Sequence, residues 1–207
     1  MKNIHSILSL LFFFIAGAVL LTSCSTDVVE PPPPPAGELN VRTYSNLQAD
    51  TAGTGNFTYF RFSDSSVVTG SDTATANWDI AFRGTTIIIN GGPLRPGQGG
   101  AIVYRNSSFD TVSIAPDAGY QVDQNDSTFA IPTGSGNGWY SYDFMNNYIA
   151  AIPGVVLIIK TGDGKYAKVE ILSYYKDQNP QPFPNPVNFR YYTFRFVYQP
   201  DGSRTVK

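Results

Sequence analysis

The stretch WDIAFRGTTIIINGG, residues 78–92, decides the class of fold that this chain adopts. Its first five residues alternate, so that Trp78, Ile80 and Phe82 share one face of an extended strand. An Arg-Gly pair then bends the chain, a β-branched run extends it again, and Asn-Gly-Gly ends the run. The stretch therefore predicts two short strands around a kink. We assign the Trp78 face to the core rather than to a binding pocket, because such alternation is typical of a buried strand face.

Four further regions of the sequence show strand patterns. FTYFRF (residues 57–62) predicts a strand with both faces partly covered. AIVYRNSSFDTVSIAP (residues 101–116) alternates weakly and predicts two more strands. VVLIIKT and KYAKVEILSYY flank a Gly-Asp-Gly turn and predict a hairpin, whose residues 155–159 are apolar on both faces and therefore central. FRYYTFRFVY (residues 189–198) predicts a long strand, and the C-terminal RTVK predicts a short closing strand.

One segment has a helical rather than an alternating pattern. In WYSYDFMNNYIAAIPG (residues 139–154), the side chains at near-helical spacing are Trp139, Tyr142, Met145, Ile149 and Ile152. Tyr and Asn are mediocre helix formers, so an irregular loop lined by aromatic residues fits this segment as well. The fold prediction is an all-β, mainly antiparallel protein, a curved sheet or a sandwich, with at most one short helix.

Two glycine-rich segments separate the predicted strands. NGGPLRPGQGG (residues 90–100) contains five glycines and two prolines and predicts a loop. It lacks the lysine and the following helix that a phosphate-binding loop needs, which argues against nucleotide binding. DAGYQVDQNDSTFAIPTGSGNG (residues 117–138) is polar and predicts a long exposed connection.

The N terminus has the pattern of a bacterial lipoprotein signal. A lysine precedes an apolar run over residues 7–21, and Thr-Ser-Cys follows, ending at Cys24. The run is shorter than the roughly 20 residues that span a bilayer as a helix, and small residues precede the cysteine. We expect residues 1–23 to be removed and Cys24 to carry the lipid. Residues 24–37 then predict a proline-rich extended tether, followed by one β domain over residues 38–207.

The composition of the processed chain excludes several kinds of site. Cys24 is the only cysteine, and His5, inside the signal, is the only histidine. Disulfides, Ser–His and Cys–His triads and the usual zinc sites are therefore excluded. From residue 38 onward, 13 Lys plus Arg residues stand against 14 Asp plus Glu residues, a balance of −1. A nucleic-acid partner would require a clustered basic face, so we expect none.

Hydrolysis by paired carboxylates is the remaining enzymatic alternative. Within residues 38–207, the only glutamates are Glu38 and Glu170, and Glu170 lies inside a predicted strand where we expect it to face solvent. Four aspartates fall in polar loops and show no paired spacing: Asp110, Asp117, Asp123 and Asp126. The sequence therefore predicts a protein that is not an enzyme.

Four segments of the chain stand in a fixed order: NWDIAFRGTTIIINGG, RPGQGGAI, GKYAKVEILSYYKD and RYYTFRFVYQPDGS. In their order and in their residue sequences they resemble the HmuY family of haem-binding outer-membrane lipoproteins from Bacteroidetes, over most of residues 57–207. The lipoprotein signal agrees with this resemblance. The resemblance implies a largely all-β domain, held at the cell surface only by its lipid anchor. Such a domain captures haem, or a related tetrapyrrole, and passes it to an outer-membrane receptor without chemical turnover.

The sequence departs from that family at the iron ligands. The best-known members hold the haem iron between two histidines, and this chain has none after its signal. Haem iron also accepts Met sulfur and Tyr oxygen. We hypothesise that Met145, the only methionine left after signal removal, is one axial ligand of the metal. The second is missing or is one of three tyrosines: Tyr120, Tyr142 or Tyr148. The alternative is that Met145 fills a gap in the core and the tyrosines pack on strands.

Two further expectations concern the surroundings of the ligand. Arg83 and Arg95 flank the glycine-rich loop and suit pairing with haem propionates, while surface solvation of both is the other interpretation. We expect the haem to lie in an aromatic cleft formed by loops at the sheet ends. The competing function is a non-haem surface module whose aromatic side chains contact a glycan, a protein or an outer-membrane transporter.

Overall fold

The computed structural model describes residues 39–180 and 188–207, so the predicted signal, Cys24 and the tether lie outside the described residues. The described residues form antiparallel strands in three sheets, none of them closed. The strands are β1 (Arg42–Gln48), β2 (Thr58–Arg61), β3 (Ser66–Val68), β4 (Ile80–Arg83), β5 (Thr86–Ile89), β6 (Gly100–Tyr104), β7 (Tyr140–Asp143), β8 (Tyr148–Ala151), β9 (Val156–Lys160), β10 (Tyr166–Tyr175) and β11 (Phe189–Gln199). Short 3₁₀ turns occur at Gly70–Ala74 and Lys176–Gln178. The all-β, mainly antiparallel prediction is confirmed.

Two of the sheets pack face to face. The larger has the strand order β1-β11-β10-β9-β6, and the smaller has the order β3-β2-β4-β5. Rings from both sheets meet between them. The ring of Phe60 on β2 lies 5.2 Å from that of Phe194 on β11 in an edge-to-face contact, and Phe82 on β4 stacks on Phe194 at 5.4 Å. The protein is therefore a sandwich with its main core between the two sheets.

The larger sheet buries side chains on both of its faces. On β9, Leu157 and Ile159 belong to the main core, whereas Val156 and Ile158 belong to a second cluster on the outer face. This alternation follows from the period of two along a strand. The predicted hairpin of β9 and β10 is confirmed, and so is the central position of residues 155–159, because β9 lies between β10 and β6.

The kinked stretch forms β4 and β5, which pair across a turn that contains Gly84 at φ 52°. The prediction of two short strands is confirmed. Trp78, Ile80 and Phe82 are all buried, also as predicted. They do not share one face, because Ile80 and Phe82 belong to the main core while Trp78 packs in a cluster on the outer face of the smaller sheet. The strand begins only at Ile80, so its alternation does not extend back to Trp78.

The helix predicted over residues 139–154 is wrong, because this segment forms the hairpin of β7 and β8. The carboxylate of Asp143 accepts hydrogen bonds from the backbone N–H groups of Met145, at 2.9 Å, and Asn146, at 3.2 Å. An aspartate that bonds the backbone just after it favours a turn over a helix. The aromatic residues at helical spacing are therefore distributed over two paired strands.

Two other predicted strands are also wrong: the second strand of residues 101–116 and the C-terminal strand. After β6, the chain crosses the outer face of the larger sheet and buries Phe109 and Val112 there. The ammonium of Lys168 donates hydrogen bonds to the carbonyls of Phe109 and Val112, both at 2.7 Å. Those carbonyls therefore do not join a strand ladder. Only an isolated bridge forms, between Ile114 and Thr205, in place of the second strand of residues 101–116 and the C-terminal strand.

The connection over residues 117–138 is irregular, as predicted, but it is not exposed throughout. Asp123 is fully buried. Its carboxylate accepts hydrogen bonds from the backbone N–H groups of Ile89 and Ala130, at 3.1 and 2.8 Å, and from the guanidinium of Arg95, at 2.7 Å. The bond from Ile89 therefore attaches this connection to the edge strand β5, Arg95 attaches it to the glycine-rich loop, and Ala130 closes it on itself.

All described strands and buried clusters lie in one compact unit, Ala36–Lys207. We therefore expect this unit to fold without the first 35 residues. Over the ranges 39–180 and 188–207, no helix has the length and apolar character needed to cross a membrane.

Candidate functional site

The β7–β8 hairpin carries the two most exposed large apolar side chains among the described residues. Phe144 and Met145 lie in its turn, and each is 83% exposed. Tyr142, 40% exposed, presents its ring 6.3 Å from that of Phe144, at an angle of 87°. Exposing contiguous apolar surface to water is unfavourable, and such patches commonly mark binding surfaces. We name Tyr142, Phe144 and Met145 the hairpin tip.

Hydrogen bonds within the turn hold the hairpin tip in shape. Besides its two backbone partners, the Asp143 carboxylate accepts a bond of 2.7 Å from the side-chain amide of Asn146. These bonds, led by those from Asn146, lower the pKa of the Asp143 carboxyl and keep it ionised. The Tyr142 hydroxyl donates to Oδ1 of Asn147 at 2.7 Å. The polar groups of the turn therefore bond one another, while Phe144 and Met145 point into solvent.

The stem of the hairpin is fixed to the larger sheet through Tyr175 at the end of β10. The ring of Tyr148 stacks on that of Tyr175, with centroids 5.2 Å apart and planes 7° apart. The backbone N–H of Ile149 donates to the Tyr175 hydroxyl at 2.7 Å. Burial raises the pKa of Tyr175, so this hydroxyl stays protonated at neutral pH. The hairpin tip therefore stands on a stem with defined packing and hydrogen bonding.

Aromatic rings fill the end of the sandwich beneath this stem. Trp139 is 2% exposed, and its indole N–H donates to the carbonyl of Thr85 at 3.0 Å. Its ring lies 5.0 Å from that of Tyr192 and 6.0 Å from that of Tyr174. The aromatic cleft that the sequence led us to expect here is thus occupied by these three rings. The apolar surface that this end of the molecule exposes is the hairpin tip.

The four predicted ligand residues fall into two places. Met145, Tyr142 and Tyr148 lie on one hairpin, with Met145 exposed, Tyr142 hydrogen-bonded and Tyr148 stacked. Tyr120 instead packs against the outer-face cluster of the larger sheet, 6.1 Å from the ring of Tyr166. Its hydroxyl donates to the carbonyl of Pro116, and burial raises its pKa, which disfavours the phenolate that binds ferric iron. The structure therefore brings together three of the four candidates.

Both candidate partners of haem propionates are engaged within the protein. Arg95 forms an ion pair of 2.7 Å with the buried carboxylate of Asp123. The guanidinium of Arg83 lies 4.2 Å from the ring centroid of Phe57 and donates to the carbonyl of Gly55. Neither arginine is simply solvated, and Arg95 serves to neutralise a buried charge.

Phe144 is the residue of this site that the sequence reasoning missed. Phe144 falls in the segment predicted as a helix or an aromatic loop, where the candidate ligands are its neighbours Met145, Tyr142 and Tyr148. The signal that reveals it is the run Asp-Phe-Met-Asn-Asn between two alternating Tyr-rich segments, since Asp and Asn at these places are typical of a hairpin turn. Side chains in the middle of such a turn project into solvent.

Comparison with known proteins now identifies the family. The sequence model of the HmuY protein family matches residues 54–191, which is more than half of the chain. The chain belongs to the HmuY family. A search of curated proteins finds no match.

Three solved structures are similar to this chain, and the two with TM-scores of 0.50 and 0.55 share its fold. An apo HmuY analog from Tannerella forsythia shares 16% identity, with a TM-score of 0.55 over 80% of this chain and 99% of that one. A candidate lipoprotein from Bacteroides fragilis shares 15% identity, with a TM-score of 0.50 over 77% and 92% of the two chains. A candidate HmuY-like haem-binding protein from Bacteroides vulgatus shares 16% identity, with a TM-score of 0.48 over 76% and 91%.

HmuY proteins are binding proteins, so the chain is not an enzyme, as the sequence predicted. Several of the acidic side chains considered for hydrolysis pair with cations inside the protein. Glu170 is only partly exposed, because its carboxylate pairs with Arg195 at 2.6 Å. Arg195 also pairs with Asp110 at 3.3 Å, while Asp123 is buried in the loop attachment described above.

Among the described residues, no group of three or more His, Cys, Asp or Glu side chains is placed to bind a metal ion. Within residues 39–180 and 188–207, the side chain that carries a soft donor is Met145, whose thioether is 83% exposed.

Proposed function

We propose that the chain binds haem at the hairpin tip, with the sulfur of Met145 as an axial ligand of the iron. The observation that carries this proposal is the 83% exposure of Met145 and of Phe144 on a stem held by the Tyr148–Tyr175 stack. A methionine that only filled space would be buried. Family membership supports the ligand, because the resemblance described above implies haem capture.

The choice of sulfur follows from the donors that the chain possesses. No histidine follows His5, and Cys24 is the predicted site of the lipid. Methionine is an established axial ligand of haem iron, and as a soft ligand it favours the ferrous state and raises the reduction potential. We therefore expect ferrous haem to bind more tightly than ferric haem at this site.

Phe144 and Tyr142 provide apolar contact for the macrocycle in this proposal. A porphyrin laid against the hairpin tip covers the Phe144 ring and removes exposed apolar surface of both partners from water. Tyr148 takes a positioning role through its stack on Tyr175. Tyr120, packed on the outer face of the larger sheet, is not part of the proposed site.

We further propose that the domain is anchored in the outer membrane by a lipid on Cys24 and passes its ligand to an outer-membrane receptor. The support is the sequence pattern of residues 1–24, together with membership of a family whose resemblance implies such a role. The proline-rich residues 24–37 would then keep the domain away from the membrane surface. Radiolabelled palmitate incorporation into the full chain, lost in Cys24→Ser, tests the anchor.

The hairpin tip also favours a second function, which is contact with a protein such as an outer-membrane transporter. Aromatic and methionine side chains are enriched at protein interfaces, and Phe144 and Met145 present both kinds. This function needs the apolar surface of Met145 but not its sulfur. Replacing the sulfur while keeping the apolar bulk therefore separates the two functions.

The test is a titration of the Ala36–Lys207 unit with hemin, followed by the Soret band in the oxidised and the dithionite-reduced states. We expect a saturable shift that is larger in the reduced state. Met145→Leu should remove the reduced-state shift, whereas the control Leu94→Ser, which changes a 48% exposed apolar side chain elsewhere, should keep it. Spectra of the wild-type unit identical to those of free hemin would refute haem binding and leave the protein-contact function.

A further inference from the structure

We infer that one haem is shared by two copies of this chain, each of which supplies its Met145 to one face of the macrocycle. This inference rests on the proposed haem function and adds to it the second ligand and the partner. It follows from the number of ligands that one chain offers, from the shape of the hairpin tip and from the position of its charge.

The number of available ligands is one less than haem iron accommodates. The iron has two axial positions on opposite faces of the porphyrin, and many haem proteins fill both with protein side chains. Met145 is the one methionine after the signal, and no histidine is present there. Within a single chain, the second axial position therefore lacks a strong ligand.

Tyrosines on the same hairpin do not provide this second ligand. The strands of a hairpin lie about 4.8 Å apart, which is less than the width of a porphyrin ring. Side chains of one hairpin tip therefore approach only one face of a ring that covers that tip. The Tyr142 hydroxyl is also engaged with Asn147, and the Tyr148 ring is stacked on Tyr175.

The exposure of the hairpin tip leaves the far face of the bound ring uncovered. Phe144 and Met145 project from the protein at 83% exposure each, so no described neighbour closes over a ring placed on them. An apolar macrocycle with one face in water gains from a second apolar surface. The surface with the matching shape and ligand is the same hairpin tip of another copy, related by a two-fold axis through the iron.

The charge of the turn is limited to the Asp143 carboxylate, which is directed into the turn by its hydrogen bonds. Both carboxylate oxygens of Asp143 accept hydrogen bonds from Met145 and Asn146 within the turn. These neutral donors stabilise the carboxylate within its own turn, and one negative charge remains on each tip. The neighbours in the turn, Asn146 and Asn147, are neutral, so each copy brings a single carboxylate and no larger group of like charges to the pair.

The proposed pair depends on its ligand. Each tip consists of three side chains, and their contact area falls far below the roughly 1,000 Å² that a stable protein interface buries. The haem therefore provides the contact between the chains. Binding of this kind is greatest at half an equivalent of haem per chain and declines in excess haem, because each Met145 then binds a haem of its own.

The experiment measures the mass of the Ala36–Lys207 unit by light scattering during titration with reduced haem, alongside the Soret band. We expect the mass to double relative to the haem-free unit, with a maximum near 0.5 equivalents and a return towards the starting value in excess. Excess imidazole, which takes the axial positions, should split the pair. Met145→Leu should not pair, and Met145→His, which supplies another axial ligand at the same place, should pair again.

Two other outcomes are distinguishable. A saturable Soret shift at one equivalent, with no change in mass at any ratio, overturns the shared haem and leaves the proposed haem function intact. No Soret shift at all refutes the proposed function, and the inference fails with it. A doubling of mass that persists in Met145→Leu overturns the assignment of the shared ligand.

Discussion

The rings of Tyr148 and Tyr175 lie flat on each other, with centroids 5.2 Å apart and planes 7° apart, and join the protruding hairpin to the end of β10. This pair converts a two-stranded ribbon, which is marginally stable alone, into a defined support for the hairpin tip. The connection has a second component, the bond of 2.7 Å from the Ile149 N–H to the Tyr175 hydroxyl. The function proposed for the tip therefore depends on residues that the ligand never touches.

The first prediction concerns that hydroxyl. Tyr175→Phe keeps the ring stack but leaves the partly buried N–H of Ile149 without its acceptor, so we expect a loss of about 1–2 kcal/mol in the free energy of unfolding. Amide hydrogen exchange should show faster exchange at Ile149. Tyr142→Phe, which removes an exposed hydroxyl from the same hairpin, serves as the control and should change stability by less than about 0.5 kcal/mol. Unchanged exchange at Ile149 would show that the hydrogen bond does not hold the stem.

The second prediction concerns Gly162, in the turn between β9 and β10. A Cβ atom at this position would lie 2.4 Å from the carbonyl oxygen of Trp78 and 2.6 Å from that of Ala76. These backbone atoms cannot move aside without disturbing the strands around them. We therefore expect Gly162→Ala to lower the free energy of unfolding, measured in urea, by more than about 2 kcal/mol. Gly202→Ala is the control, because nothing lies within 4 Å there and only its φ of 82° penalises alanine, by about 1 kcal/mol. Equal losses in the two variants would contradict the close approach.

The third prediction concerns the pH dependence of stability through Asp79. Its carboxylate accepts the N–H groups of Phe62, at 2.7 Å, and Gly162, at 3.1 Å, and burial raises its pKa from 3.8 to about 6. Because the folded pKa is the higher one, the folded protein binds a proton that the unfolded chain does not, between about pH 4 and pH 6. The contribution of Asp79 to stability is therefore full below about pH 4 and is lost as the pH rises through 6.

The measurement is the free energy of unfolding in urea from pH 3.5 to 7.5 (roughly the range around the two pKa values) for the wild type and Asp79→Asn. We expect the wild type to lose about 3 kcal/mol relative to the variant as the pH rises through this window. Burial also raises the pKa of Asp123, but both proteins contain it, so its effect cancels in the difference. A difference that is constant with pH would contradict the raised pKa.

β9, β10 and β11 were predictable because each is a long run of apolar and aromatic residues, with β9 apolar on both faces. The hairpin of β9 and β10 pairs across a short glycine-containing turn, so that pairing needs little tertiary information. The sequence predicts a helix where the hairpin of β7 and β8 forms, because Trp139, Tyr142 and Met145 also stand at helical spacing. The spacing of apolar residues in this segment fits both a helix and paired strands. The hydrogen bonds of Asp143 within the turn and of Tyr175 from β10 stabilise the hairpin.

Contacts between distant residues explain what the sequence did not show. Asp123 stands in a polar segment, yet it is buried because donors from Ile89, Arg95 and Ala130 converge on it. The polar sequence around Asp123 predicts an exposed side chain, because the distant donors do not appear in that sequence. Among the residues of the hairpin tip, the resemblance to the HmuY family makes Tyr142 a candidate ligand and selects Met145, the one methionine after the signal of a chain without the family's histidines. Its exposure, and the role of Phe144 beside it, required the fold.

The most direct test of the account is iron K-edge X-ray absorption of the reduced haem complex of the Ala36–Lys207 unit, compared with the same complex of Met145→Leu. The exposed thioether at the hairpin tip predicts a sulfur atom in the first coordination shell of the wild type and none in the variant. A wild-type shell made only of nitrogen and oxygen would contradict the assignment of Met145 to the iron.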